Sequence, residues 1–429
     1  MRKHAWIWLL LIVGLAAGAV CVVSVSARNV VAALPGETRE VLLETGFETD
    51  PAADGWKGAA RRRRPGRGSS AEWIDADPHG GKHCVKVPRG IWQSPELRIR
   101  PFEFYRVTFA SKTKGKGYWL MRFFDTEGRE ITADQYSSIF ASDGWVANES
   151  CVMGRAGTSS ARLGFRPNGA EIFVDDVTVT GATRTDVLKW ADSLYKTLPP
   201  VRCTPEPQRW KHLAKTMDKL RKGEALKIVV LGDSIANDLC NSHFHLLAER
   251  MYPGSRITLV HSIRGATGCS YYQGGGRVKP YVVDHDPDLV IIAGISHGRS
   301  VPPIRSVIAQ VREQMKAAPE FLVMTGAVLE PGMDAGVASR GLTSPPPEVK
   351  RRAKEALTKF YAELVEARDA DRFATLDLRA IWDSYIDRSP RPLEWYQRDN
   401  THANDRGKQI LGRIVERFFA PDRAEAKTE

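Results

Sequence analysis

The stretch LKIVVLGDSIANDLC, residues 226–240, decides how this chain is read. Its first six residues are branched and apolar apart from Lys227, and they run straight into Gly232. A strand without polar alternation is one buried on both faces, the habit of parallel sheets covered by helices. The segment after it, 235–250, fits a helix. Reactive groups gather beyond the carboxyl ends of such strands, and Ser234 stands at one of them. A serine there can cap the helix, hold a phosphate or attack an ester. Phosphate loops need GxxxxGK[ST] or GxGxxG, and GDSI at 232–235 is neither. Ser and Asp are both good caps, so capping and nucleophilic attack remain open.

Further strands of the same kind follow at 257–261, 289–293, 321–325 and 373–378. Between them Ile304, Val307, Ile308, Val311 and Met315 share one helical face. Ala353, Leu357, Phe360, Leu364 and Val365 lie on a longer one. Strands alternating with amphipathic helices predict an α/β domain over 224–420, with a last helix over 405–419. Upstream the period changes. Short alternating runs at 104–110, 118–124 and 172–180, parted by Gly, Asp and Asn, predict a β-sandwich over 38–182. Residues 183–223, with Pro199-Pro200 inside, read as a linker and lead-in helix.

Hydrophobic residues make up 42% and charged residues 26% of the 429, an ordinary globular balance. Arg2 and Lys3 precede an uncharged run from 5 to 25, and Val25-Ser26-Ala27 fits a cleavage site, so 1–27 reads as a secretory signal. Retention of that run as a membrane anchor stays open. Its removal leaves 60 bases against 51 acids, a net +9. Export makes nucleic acid the poorest partner for that charge, and the basic run 61–67 has no interleaved aromatic, so it reads as a solvated loop. Five cysteines remain, and Cys84 with Cys151, and Cys240 with Cys269, are the couples one domain each would permit. No Cys/His spacing suits zinc.

A serine nucleophile needs a base, a group to orient that base, and oxyanion donors. Asp399-Asn400-Thr401-His402 puts an acid three residues before a histidine, at the start of the last helix. Gly-Asp-Ser after the first strand with Asp-x-x-His before the last helix resembles the GDSL, or SGNH, hydrolases, over about 224–420. The resemblance implies a flavodoxin-like three-layer parallel-sheet domain with Ser234 as nucleophile, His402 as base and Asp399 as its partner. It implies an oxyanion amide from Gly265, with Gly268 as the second choice. It also implies an asparagine donor after the third strand, but here the sequence reads Gly294-Ile-Ser-His297. Ser296 stands at the asparagine position and His297 follows it. The third donor is then Ser296, His297 or nothing.

The start Leu43-Glu-Thr-Gly-Phe-Glu48, with Trp56, and the end Ile172-Phe-Val-Asp-Asp-Val177 resemble a carbohydrate-binding jelly roll. That resemblance implies a structural calcium shared by Glu48 and Asp175 or Asp176. Trp56, Trp73, Trp92, Trp119 and Trp145 are candidates to stack on sugars, with at least half of them expected in the core. No cofactor is implied. The combined layout predicts a secreted or envelope serine esterase that removes O-acetyl or another small acyl group from a polysaccharide. A glycan O-acetyltransferase using the same three residues, and a non-catalytic glycan-binding surface protein, are the alternatives.

Overall fold

The computed structural model describes residues 39–59, 69–297, 300–327 and 346–422. The signal segment and the basic run 61–67 lie outside them. Two antiparallel sheets fill 41–182. One runs in the order β10 (Ser142–Met153), β7 (Phe104–Thr113), β12 (Ile172–Ala182), β4 (Cys84–Arg89), β3 (Ser70–Ile74), with β1 (Val41–Thr45) on β12. The other runs β2 (Lys57–Ala59), β5 (Ile91–Gln93), β11 (Ser160–Asn168), β8 (Lys116–Phe124), β9 (Glu130–Ile139), with β6 (Leu97–Arg98) on β11.

Alternation decides what each face does. Along β8, Trp119, Met121 and Phe123 turn inward against Phe165, Val107 and Val174 of the sandwich core. Trp56 and Trp92 stack there at 4.3 Å, so three of the five candidate tryptophans are core. Trp73 is 40% exposed and Trp145 is partly exposed, with Lys112 over its ring. Tyr118 and Arg122 point the other way, off the outside of the second sheet.

After β12 the chain enters α1 (Arg184–Tyr195) through a capping box between Thr183 and Asp186, then α2 (Ala214–Arg221). Five parallel strands follow: β13 (Ala225–Gly232), β14 (Arg256–Ile263), β15 (Leu289–Ala293), β16 (Glu320–Met324) and β17 (Ala374–Leu376). Their order, β14-β13-β15-β16-β17, is the flavodoxin-like one. Ile228 and Val230 belong to the core on one face, and Val229 and Leu231 to the core on the other, as a doubly covered sheet requires. Helices Val301–Gln314 and Pro347–Asp371 cover the second face, and Asp405–Phe419 covers the first.

The expected helix over 235–250 is broken in two. α3 (Ser234–Cys240) and α4 (Phe244–Met251) are separated at His243, whose φ is 57°. Local side-chain bonds outcompete helix continuation there. The Ser242 hydroxyl donates to Leu239 O and accepts from Phe244 N, while His243 Nε2 reaches Cys151 O on the sandwich. Gly412 lets the last helix approach this break, since a Cβ there would lie 2.7 Å from Ser242 Oγ.

The cysteine couples are not formed; all five described cysteines are free. Cys240, on α3, sits in the core of one sheet face, and Cys269, on α5 (Cys269–Tyr272), in that of the other. Burial pushes the Cys84 thiol up to about 11 and the Cys269 thiol up to about 12. No helix among the described residues is long and apolar enough to cross a membrane.

The two halves share one core. Phe104, Cys151 and Met153 of the sandwich pack with Val187 and Trp190 of α1 and with Phe244 of α4. Arg155, buried at this seam, donates to Ala133 O and Asn241 Oδ1 at 2.8 Å each. Thr132 Oγ1 donates to Ile263 O at 2.6 Å, which ties β9 to the end of β14.

Candidate active site

Gly232 closes β13 because nothing larger fits, a Cβ there falling 2.0 Å from Ala293 O of the neighbouring strand. The turn that follows belongs to Asp233. Its Oδ1 accepts from Ile235 N (2.9 Å) and Ala236 N (3.4 Å), capping α3. Its Oδ2 accepts from Ile295 N and Ser296 N at 2.8 Å each, binding the loop after β15 to the start of α3. Asp233 is the cap, and Ser234, the first helical residue, is left with its hydroxyl free for other work.

That hydroxyl lies 2.8 Å from His402 Nε2. His402 Nδ1 lies 2.8 Å and 3.0 Å from the two carboxylate oxygens of Asp399. Asp399 also accepts from the amides of Thr401 and His402 at 2.9 Å each. The acid and the imidazole are thus joined within one tight turn. Burial opposes ionisation of Asp399, but the hydrogen bond and charge of His402 and the charge of Arg398 outweigh it and hold the carboxyl well below the usual range. In this arrangement Nδ1–H donates to the carboxylate, and Nε2 is the lone-pair side that faces the serine.

A second carboxylate, which sequence reading missed, fixes this turn to α3. Asp238, one helical turn after Ser234 and 1% exposed, accepts from Arg398 Nη1 at 2.8 Å and from Ala403 N at 2.9 Å. It grips both flanks of the Asp399–His402 segment. The charges of Asp238 and Asp399 keep the Arg398 guanidinium charged despite its burial. The spacing in Ser234-Ile-Ala-Asn-Asp238 was the only signal, since i and i+4 share a helix face.

These residues open into a cavity of about 600 Å³. Gly265 lines it beside Ser234, and a Cβ there would meet nothing within 4 Å. Ala266 next to it has φ 55°, a left-handed conformation costly for a residue with a Cβ. The Ser296 amide is held by Asp233 Oδ2. His297 is excluded as a donor to this cavity. It is buried, its Nδ1 accepts from Cys269 N, and its Nε2 donates to Ala293 O. Burial lowers its pKa against the pull of Asp233 and the Ala293 carbonyl, which fits a neutral, structural imidazole. Gly268 serves packing, a Cβ there falling 1.9 Å from Ser296 O.

Trp395 and Tyr396 support the turn from behind. Tyr396 is fully buried, and Trp395 is stacked under Arg406 at 3.7 Å. The other cavity wall comes from the sandwich: Tyr118, Thr132, Asp134, Tyr136, Arg166 and Asn168. Tyr118 OH donates to Arg398 O at 3.3 Å, which anchors this wall to the Asp399 turn.

Calcium is expected at Glu48 with Asp175 or Asp176, and Asp176 Oδ2 lies 2.6 Å from His79 Nδ1. Glu48 accepts from the amides of Lys82 and His83, and Asp175 from those of His79, Gly80 and Asp176. Among the described residues no group of three or more His, Cys, Asp or Glu is arranged to hold a metal.

No protein-family model and no curated protein matches this chain. Among solved structures, a two-domain esterase (CEX) active on acetylated mannans, co-crystallised with mannopentaose, aligns over 55% of this chain at 18% identity and a TM-score of 0.37. The chain spans 58% of that esterase's length. The CBM22-1 xylan-binding domain of Paenibacillus barcinonensis Xyn10C aligns over 34% of this chain and 97% of its own, at 15% identity and a TM-score of 0.26. The tailspike protein 4 of bacteriophage CBA120 aligns over 30% of this chain and 19% of its own, at 11% identity and a TM-score of 0.24.

Proposed function

We propose that this chain is a serine esterase of the SGNH type, acting outside the cytoplasm to remove acetyl or another small acyl group from a polysaccharide. The observation that carries the reading is the hydrogen-bonded series Asp399–His402–Ser234, with its serine end facing the cavity. Asp399 holds the imidazole in the tautomer whose Nε2 can take a proton. Ser234 Oγ attacks the ester carbonyl carbon as His402 Nε2 accepts its proton, giving a tetrahedral oxyanion. Amide N–H groups of Ser234 and Gly265 are the donors suited to that oxygen. Collapse expels the sugar alkoxide, which takes the proton from His402, and leaves Ser234 acylated. Water then adds by the same route, its proton passing through His402 back to Ser234, and acetate leaves.

The lost asparagine bears on rate rather than on reaction type. The Ser296 amide and the His297 ring are engaged elsewhere, and a missing donor costs on the order of 10²–10³ in rate. Acetate release from acetylated xylan and acetylated mannan by the protein without residues 1–27 tests the reading. Release that disappears with Ser234→Ala supports it, and release that the substitution leaves intact removes Ser234 as nucleophile.

A further inference from the structure

We infer that Arg166 forms a subsite for an anionic group on the glycan, a uronosyl carboxylate, so that the substrate class is acidic polysaccharide; this rests on the esterase reading for its setting.

Arg166 stands on β11 directly across from Tyr118 on β8, on the outward face of the second sandwich sheet. It lines the same cavity as Ser234, Gly265 and His402. Its guanidinium lies 5.4 Å from the centre of the Tyr118 ring, a cation–π contact that consumes none of its N–H donors. The residue is half-buried and makes no ion pair among the described residues.

Every other charge near it has a partner. Arg398, the second cation of the cavity, is bound to Asp238. Asp399 is held by His402, and Arg122 on the same sheet face is bound to Glu130. Asp134, the remaining acid of the wall, has an interaction of its own and forms no salt bridge with Arg166. A partly buried guanidinium without an ion-pair partner has N–H donors left for a ligand's charge. A planar carboxylate matches its donor fork with two parallel hydrogen bonds. The net charge of +9 left after residues 1–27 also favours approach of a polyanion.

The test uses the Ser234→Ala protein, in which bound ligand is not turned over, with trigalacturonate and a neutral trisaccharide of equal length as probes in titration calorimetry. Trigalacturonate is expected to bind at least about tenfold more tightly than the neutral sugar, consistent with one charge-assisted bidentate contact. Adding Arg166→Gln should abolish that difference, Arg166→Lys should restore part of it, and salt should weaken it. Equal affinity for the two probes, or a preference that Arg166→Gln does not move in a protein of unchanged melting temperature, overturns the subsite. Binding does not depend on turnover. An Arg166-dependent preference with no esterase activity leaves the subsite standing and the esterase reading fallen, and deacetylation without the preference does the reverse.

Discussion

The parallel-sheet half and the sandwich half build the cavity in different ways. The first contributes from places where regular structure ends: Ser234 after β13, Gly265 after β14, and the Asp399–His402 turn before the last helix. The second contributes from the flanks of strands, where Tyr118, Tyr136 and Arg166 project from an outer sheet face. Ends of elements leave backbone amides and caps free for chemistry, whereas a sheet flank offers only a row of side chains at fixed spacing. The division predicts that changes in the first half strike rate and folding, and that changes in the second strike the choice of substrate.

The strongest way to break this division is at the acid of the turn. Asp399→Asn keeps the shape but favours the wrong imidazole tautomer, and kcat on 4-nitrophenyl acetate should fall on the order of 10³–10⁴-fold. A loss below tenfold contradicts the orienting role. Next comes the corner held by Asp233. Gly294 has φ 113°, and a Cβ there would meet Asp233 Oδ1 at 2.3 Å. Gly294→Ala should cost about 3 kcal/mol of stability, read as a lowered urea midpoint, because both the conformation and the capping carboxylate are disturbed.

The seam between the halves is next. Burial pushes His243 down from 6.5 to about 4, with the charges of Arg155 and Lys408 adding to the effect. Between these values the unfolded imidazole binds the proton and the folded one does not. The stability is therefore complete above pH 6.5 and is lost as pH falls toward 4. From pH 7 to pH 5 His243 alone should remove about 2 kcal/mol, measured by urea unfolding at both values. A midpoint independent of pH over that range contradicts the buried, neutral imidazole.

The smallest effect belongs to the sandwich wall. Tyr118→Phe removes the hydroxyl that meets Arg398 O and Asn168. KM for a polymeric acetylated glycan should rise about three- to tenfold, as one or two hydrogen bonds are worth, with kcat on 4-nitrophenyl acetate changing less than twofold. A kcat loss on both substrates instead assigns the wall to the chemistry.

What could be read in advance follows the same boundary. Strand placement and the last helix followed from apolar runs and period, and Asp399 with His402 from a spacing that one turn closes. Whether Asp233 or Ser234 caps α3 was illegible, since either residue caps well and the choice depends on the loop at Ile295 and Ser296. The break at His243 was illegible too, because its partner Cys151 lies on the sandwich. The run 118–124 was legible as an alternating strand, but the strand that carries Arg166 was not, and nothing marked the outside of that sheet as a cavity wall. The cysteine couples failed for a related reason: spacing along the chain does not reveal that Cys240 and Cys269 lie on opposite faces of one sheet.

The central claim is that Ser234 is an activated nucleophile. It is tested most directly by treating the folded protein with a fluorophosphonate and mapping the adduct by peptide mass. The account predicts one adduct, on Ser234, formed at a rate that Asp399→Asn slows severely and absent in Ser234→Ala. A folded protein that takes no label, or takes it at another residue, contradicts the account.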